Sequence, residues 1–335
     1  MRFGLALPHY DFSVPGERAS FGAAAAWAGE AEALGFDSVW ISDHFFYSFA
    51  RYGVPDERLG SLEPLTALAG LAVTTERVRL GALVLGAPFR HPSLLAKTVA
   101  TIDLLSGGRL DLGVGAGWYD AEFEAFGYAF GTVGERFASL EETLQVLDAL
   151  LRDEPVTMQA GSVSLKDARM LPRAAHDPRP PIWIGGKGGD RLLSLAARFA
   201  DGWNSVWRWS PDAYAIRAEA ARRACEHVGR DPATFRLSVG LYGLIAEDGR
   251  ALADLWGRAR RAMPGGALDG ESLDDWCADT LSGTPDRVRE RVSEWEEAGV
   301  EEIVLSPWVL PFAVPERDQV TLFAEQVIAP LRATA

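Results

Sequence analysis

Short runs of apolar residues alternate along the chain with longer stretches in which apolar positions recur every three or four residues. The short runs predict β-strands and the longer stretches predict amphipathic helices between them. The predicted strands are Arg2 to Leu7, Ser38 to Ile41, Val78 to Val84, Leu110 to Val114, Ile182 to Ile184, Gly202 to Asn204, Phe235 to Gly240 and Glu302 to Leu305. Eight βα units predict an α/β fold of the (β/α)8 TIM barrel type.

Two intervals are longer than a connection within a βα unit requires. Residues 155–180 contain two short apolar pieces around Ala160-Gly161, which predicts a β-hairpin. Residues 241–283 predict two helices separated by Pro264-Gly265-Gly266, an excursion over one mouth of the barrel. No linker, charge block or further repeat divides the chain, so we expect a single domain over residues 1–335 with these two insertions.

Composition and charge exclude several classes of protein. The chain is 48% hydrophobic and 24% charged, which is typical of a globular protein with a substantial core. A net charge of -14 argues against nonspecific binding to nucleic acid or to anionic membranes. No apolar run approaches the roughly 20 residues of a membrane span, and no signal peptide is evident, so a cytoplasmic location is expected.

The candidate chemistry lies directly after the strands, because active sites of βα barrels form at the carboxyl ends of the strands. Asp43 and His44 follow the second strand and precede Phe45 and Phe46. An acid and an imidazole against aromatic walls would suit proton transfer over a planar ligand. The alternative is a capped turn with a structural histidine.

Glycine-rich turns follow the fourth and fifth strands. Gly113, Gly115 and Gly117 precede Trp118, where they either let a ligand approach the backbone or allow tight packing at the rim. The turn from Gly185 to Gly189 leads into a helix and carries Lys187 and Arg191. Free amides at a helix start, together with two cations, favour binding of a phosphate.

Three further observations narrow the chemistry. Arg90 and His91 follow the third strand and could meet an anionic ligand, and Trp207 follows the sixth strand and could stack on a ring. The histidines show no metal-binding spacing, so no metal is expected. An enzyme without a metal motif or an evident nucleophile most naturally takes its reactivity from an organic cofactor.

Several segments, taken in order, resemble the bacterial luciferase-like flavin and deazaflavin oxidoreductases. They are residues 34–44, 90–92, 106–118, 181–186, 196–204 and 283–285. The stretch Ala-Ala-Arg-Phe-Ala-Asp-Gly-Trp-Asn with a nearby Gly-Gly-x-Gly turn is most similar to actinobacterial members that use the deazaflavin coenzyme F420. The resemblance implies a TIM barrel, a dimer and an isoalloxazine-type ring at the barrel mouth.

The resemblance also implies roles for individual residues. His44 would be the catalytic proton donor, and Phe45, Phe46, Trp118 and Trp207 would wall the substrate pocket. The cofactor would contact Asp43, Leu83, Val84, Gly115, Ala116, Gly117, Gly185, Gly186, Lys187, Gly188, Gly189 and Arg191, with a cis peptide between Leu83 and Val84. Sugar-phosphate dehydrogenases of the deazaflavin group have a catalytic glutamate at the position of Trp118, which argues against that activity.

The function predicted from the sequence is therefore hydride transfer between coenzyme F420 and a small organic substrate, by a homodimer. The first alternative is an FMN-dependent monooxygenase that receives reduced flavin from a partner reductase and uses oxygen. A second, of another class, is a TIM-barrel hydrolase of a phosphorylated substrate. The third is a noncatalytic barrel that only binds or stores the cofactor.

Overall fold

Eight parallel strands close into a barrel in a computed structural model of the chain, which describes residues 1–152 and 154–334. Because each buried strand is a nearly continuous apolar run, both faces of the sheet are covered, by helices outside and by side chains inside. The strands are β1 (Arg2–Ala6), β2 (Ser38–Ile41), β3 (Arg79–Ala82), β4 (Leu110–Gly115), β5 (Ile182–Gly185), β6 (Gly202–Trp207), β7 (Arg236–Tyr242) and β8 (Glu302–Ser306).

The register of the strands shows that the barrel is closed. Each strand pairs with its neighbours in chain order, and Arg2 of β1 lies opposite Glu302 of β8. The predicted (β/α)8 barrel is therefore confirmed. The largest difference from the predicted bounds is in β6, which continues past Asn204 because Val206 and Trp207 still pair with β7.

Helices fill the connections between the strands. Proline at the first helical position and side-chain caps begin several of them: Ser210 accepts from the amide of Ala213, and Thr132 forms a capping box with Glu135. The helices are α1 (Phe21–Ala33), α2 (Pro64–Thr74), α3 (Pro92–Ser106), α4 (Asp120–Ala125), α5 (Val133–Leu150), α6 (Asp190–Phe199), α7 (Pro211–His227), α8 (Gly249–Ala262), α9 (Leu273–Ala278), α10 (Pro285–Glu297), α11 (Arg317–Phe323) and α12 (Ala329–Thr334). Within the described residues, no helix is long and apolar enough to cross a membrane.

Both predicted excursions have structure of their own. Val156–Ala160 and Val163–Ala168 form an antiparallel hairpin, as the sequence predicts. The second excursion contains α8, a 3-10 turn over Pro264–Gly266, and α9. This turn packs on the loop after β2: a side chain at Gly265 would lie 1.8 Å from the carbonyl oxygen of Tyr52.

The barrel interior holds a buried network of polar residues below the mouth. Glu302 is buried and accepts hydrogen bonds from Arg2 and Ser38. Burial raises the pKa of the Glu302 carboxyl, and Arg2 opposes that shift. Trp40 and Trp183 are fully buried in the same region. The barrel interior beneath the mouth is therefore packed with side chains.

Candidate active site

A cavity of about 890 Å³ opens at the carboxyl ends of the strands, within the size range of small-molecule and cofactor sites. Every strand of the barrel sends at least one residue to its wall, either from its last position or from the loop that follows. One contribution from each strand in chain order is Tyr10, His44, Leu83, Ala116, Gly186, Trp207, Tyr242 and Val309. The wall is largely apolar and aromatic, with a few titratable groups.

His44 lines this cavity and is held by a buried carboxylate. Its Nδ1 lies 2.9 Å from Oε1 of Glu122, while Oε2 of Glu122 accepts from the backbone amide of Phe45 at 2.9 Å. Glu122 is 2% exposed and belongs to α4. An ionised carboxylate only accepts hydrogen bonds, so Nδ1 carries the proton and Nε2 is the nitrogen available to the cavity.

Aromatic rings surround His44. The ring centroids of Trp118 and Tyr47 lie 5.8 and 6.0 Å from its own, both edge-on, and those of Tyr10 and Tyr119 lie 6.3 Å away. The hydroxyl of Tyr10 is 2.5 Å from Ser42 Oγ and lies in a fully buried setting, which raises the pKa of Tyr10 well above its ordinary value. Within the cavity, His44 is thus surrounded by aromatic rings, of which Tyr10 and Tyr47 are buried and Trp118 is half exposed.

His9 completes the polar cluster behind the cavity wall. Its Nδ1 is 2.8 Å from the carbonyl of Leu7, and its Nε2 is 2.9 Å from Ser42 Oγ. Desolvation lowers the pKa of His9 to about 3, so this ring is neutral. It positions Ser42, which in turn contacts Tyr10.

Asp43 lines the cavity, but its carboxylate is already engaged. Arg90 donates to both of its oxygens, at 2.5 and 3.0 Å, and the amide of Gly86 donates to Oδ2 at 2.9 Å. Arg90 also donates to Glu63 at 2.6 Å. Arg90 is therefore neutralised by two carboxylates, and the hypothesis that it meets an anionic ligand is not supported by its position. The carboxylate of Asp43 ties the loops after β2 and β3 together.

Leu83 and Val84 line the cavity at the end of β3 and are joined by a cis peptide, as the family resemblance implies. The side chain of Val84 lies between two glycines that the sequence offered as ligand contacts. An added Cβ would lie 2.8 Å from Val84 at Gly115 and 2.6 Å from it at Gly185. These glycines, although they line the cavity, make room for Val84, so tight packing explains part of the motif. Ala116 and Gly117 line the wall beside them.

Only the first residues of the turn after β5 line the cavity. Gly185, Gly186 and Lys187 line the cavity, whereas Gly188, Gly189 and Arg191 do not. The ammonium of Lys187 donates to the carbonyl of Val206, and desolvation lowers its pKa below the ordinary value. Arg191 lies over the ring of Phe137 at 4.9 Å, outside the cavity wall.

Of the four aromatic residues expected to wall the pocket, the structure brings two to it. Trp118 and Trp207 line the cavity, and Trp207 stacks on Tyr242 at 5.3 Å. Phe45 and Phe46 lie behind the wall. Phe45 stacks on Phe126 at 4.3 Å, and Phe46 is 5% exposed and packs against Tyr119, Phe126 and Arg58. The expectation for those two is corrected, because both pack against other aromatic side chains and do not line the cavity.

Sequence reasoning missed several residues of the site. Glu122 lies in the short helix α4, four residues after Trp118, and no motif in the sequence distinguishes it from the neighbouring carboxylates Asp120 and Glu124. Asn204 lines the cavity with a buried Oδ1 that has no hydrogen-bond partner in the described part of the chain, while its amide donates to Ser238. Arg51 also lines the cavity, from a loop without any recognisable motif.

The fold and the site define a TIM-barrel protein with a cofactor-sized, aromatic cavity and a histidine–carboxylate pair at its mouth. Within the described residues, no group of three or more His, Cys, Asp or Glu is placed to hold a metal ion. The family of luciferase-like monooxygenases matches residues 1–302, and the chain belongs to this family. The family expected from the sequence motifs is thus confirmed.

The relatives of this chain include an F420-dependent dehydrogenase, a ketoreductase and a monooxygenase. The F420-dependent glucose-6-phosphate dehydrogenase of Amycolatopsis mediterranei is 29% identical over 335 residues, covering 92% of this chain and 93% of its own. The phthiodiolone/phenolphthiodiolone dimycocerosates ketoreductase of Mycobacterium tuberculosis is 28% identical over 328 residues, covering 82% and 84%. The crystal structure of monooxygenase RslO1 from Streptomyces bottropensis superposes with a TM-score of 0.79 at 27% identity, covering 99% of this chain and all of its own.

Proposed function

We propose that the protein is a coenzyme F420-dependent oxidoreductase that transfers a hydride between the deazaflavin and a small organic substrate. The observation that carries the proposal is His44, held by the buried carboxylate of Glu122 in an aromatic cavity. Hydride transfer to a carbonyl, or from an alcohol, moves a proton as well, and a histidine at the reacting centre can supply or accept it. The F420-dependent relative supports the choice of coenzyme.

The cavity suits a planar ring. Val84 presents an apolar surface on one side, and Gly185, Gly186 and Lys187 form an edge that can meet a phosphate. The unpartnered Oδ1 of Asn204 is a buried acceptor, and a ring N–H would satisfy it. When bound, the deazaflavin ring supplies the site that gives or takes the hydride.

In the proposed reaction, residues of this chain transfer the proton and limit the access of water. Glu122 fixes the ring of His44 and keeps the proton on Nδ1, so that Nε2 faces the reacting oxygen. In the direction of alcohol oxidation Nε2 takes the hydroxyl proton, and in the reverse direction it returns that proton to the oxygen. Trp118, Tyr47 and Tyr10 limit the access of water to this position.

An FMN-dependent monooxygenase, with a partner reductase, is the second candidate, because the similarity to RslO1 spans the whole chain. The family match favours either oxidoreductase over the hydrolase. The remaining parts of the proposal are a single domain over residues 1–335 and a homodimer.

A paired titration tests the proposal. The purified protein is titrated with coenzyme F420 and with FMN, and quenching of tryptophan fluorescence and of each ligand's own emission is followed. We expect coenzyme F420 to bind at least about tenfold more tightly, a difference of about 1.4 kcal/mol. A preference for FMN would favour the monooxygenase, and binding of neither ligand would contradict both oxidoreductase hypotheses.

A further inference from the structure

Arg51 is the cavity-lining guanidinium that has no counterion. Among residues 1–152 and 154–334, no carboxylate lies within ion-pair distance of it. By contrast, Arg208, which also lines the cavity, donates to Glu271 at 2.5 Å and to Asp279 at 2.7 Å. Arg51 is exposed at the rim of the cavity, so its unpaired charge is accessible to a ligand that enters from solvent.

Aromatic side chains hold Arg51 in place. Its guanidinium carbon lies 4.8 Å from the ring centre of Tyr52 and 5.3 Å from those of Tyr47 and Trp118. Nη2 donates to the hydroxyls of both tyrosines, at 2.8 Å for Tyr52. The other donors of the guanidinium have no partner within the described part of the chain, so they are free to bind a ligand oxygen.

The position of Arg51 relates it to the substrate. Trp118 and Tyr47 each contact both Arg51 and His44, so one ring separates the guanidinium from the proposed proton donor. Lys187 also lines the cavity and has no ion pair among the residues that the structure describes. It contacts the carbonyl of Val206 and the ring of Trp209 and shares none of the neighbours of Arg51. The two cations therefore serve different parts of the cavity.

We propose that Arg51 binds a carboxylate of the substrate, which is then an oxo acid or hydroxy acid with an apolar or aromatic body. This inference rests on the proposed function, since that function places the reacting carbon at His44. A guanidinium held against aromatic rings is pre-organised for a carboxylate, and the aromatic wall beside it suits the apolar body. The anionic tail of the coenzyme is the other possible source of a carboxylate, and the experiment separates the two.

The experiment measures binding of matched probes by isothermal titration calorimetry, with and without saturating oxidised coenzyme. One pair is 4-acetylbenzoate and 4-acetylbenzamide, and an aliphatic pair is 4-oxopentanoate and 4-oxopentanamide. We expect the protein to prefer the carboxylate of at least one pair by about tenfold or more, as for a charge-assisted hydrogen bond. Arg51→Gln should abolish that preference while leaving the dissociation constant of the amide within about twofold.

Arg58→Gln is the matched control. Arg58 belongs to the same loop and lies over the ring of Phe46 at 4.7 Å, but it does not line the cavity. Its replacement removes the same charge, so it should keep the preference for the carboxylate. If both variants lost the preference for the carboxylate equally, that preference would come from the overall charge of the protein and the proposal would be overturned.

Two further results would overturn the proposal. One is the absence of any preference for the carboxylate in both pairs. The other is a loss of coenzyme affinity of about tenfold in Arg51→Gln, which would assign the guanidinium to the coenzyme's tail. If the unchanged protein fails to bind coenzyme F420, the proposed function is wrong, but the probe titration without coenzyme still decides whether Arg51 selects carboxylates.

Discussion

Glu122→Gln is the most informative single change in the site, because it preserves shape, removes the charge and replaces one acceptor by a donor. Glu122 accepts from two donors, the fixed amide of Phe45 and Nδ1 of His44, each at 2.9 Å. A glutamine has one acceptor oxygen, which must stay on the Phe45 amide because that N–H cannot move. The amide nitrogen of the glutamine then faces Nδ1 and donates to it.

The consequence is an inverted tautomer. With Nδ1 as an acceptor, the neutral ring of His44 carries its proton on Nε2, toward the cavity, and cannot accept the hydroxyl proton of an alcohol. General acid–base catalysis contributes about 100- to 10,000-fold, so we expect kcat for alcohol oxidation to fall by at least about 100-fold, or about 2.7 kcal/mol. All hydrogen-bonding groups stay paired, so the free energy of unfolding should change by less than about 1.5 kcal/mol.

The assay combines kinetics with a direct view of the ring. The ¹⁵N NMR spectrum of histidine-labelled protein reports the tautomer of each of the five histidines, with His44→Gln assigning the signal. Glu122→Gln, His44→Gln and the double variant should have equal kcat within about threefold, because all three remove one proton path. Coenzyme affinity should stay within about twofold. An unchanged kcat, or a proton that remains on Nδ1, would refute the reasoning.

Three other predictions concern His9, Gly188 and Asp43. His9 has a pKa of about 3 in the folded protein and about 6.5 in the unfolded chain, so below pH 6.5 only the unfolded chain binds the extra proton. In urea unfolding, we therefore expect His9 to make the free energy of unfolding about 2 kcal/mol lower at pH 5 than at pH 8. This pH dependence should be reduced in His9→Gln. Gly188→Ala, at φ +71° with its Cβ 2.7 Å from Trp203, should displace the turn that carries the cavity-lining Gly186 and Lys187 and so weaken coenzyme binding about tenfold by fluorescence titration. Gly189→Ala, where a Cβ meets nothing, should not. Asp43→Asn should lower the free energy of unfolding by about 2 kcal/mol in chemical denaturation, because it breaks the bidentate pair with Arg90.

The fold could be predicted from the sequence because a parallel barrel has a strong local signal. Strands buried on both faces are continuous apolar runs, and the helices between them carry proline and hydroxyl residues at their starts. The boundary of β6 was harder, since Val206 and Trp207 continue the strand only because β7 offers them partners. Valine and tryptophan favour strands, but the pairing that extends β6 to them depends on the neighbouring strand.

The sequence could place only those site residues that come shortly after the end of a strand. His44 follows β2 directly, so its place at the mouth follows from topology. Its partner Glu122 comes from a helix after β4, and no local pattern shows that this helix turns its carboxylate toward β2. The glycines illustrate the same limit. A glycine in the sequence does not show whether a ligand or the side chain of Val84 occupies the space beside it.

The loop after β2 and the excursion over residues 241–283 are in contact at the mouth, and under the proposed function this contact would let substrate choice change while the coenzyme site stays fixed. Gly265, at φ +64°, lets the turn after α8 approach the carbonyl of Tyr52 more closely than any side chain would allow. Tyr52 in turn lies under the guanidinium of Arg51 with its ring and accepts a hydrogen bond from it with its hydroxyl. The position of Arg51 therefore depends on the excursion over residues 241–283, whereas Val84 and the turn after β5 are anchored in the barrel itself. If Arg51 binds the substrate carboxylate as proposed, length changes in that excursion would move Arg51 relative to His44, and so select substrates by the distance between their anionic and reacting groups.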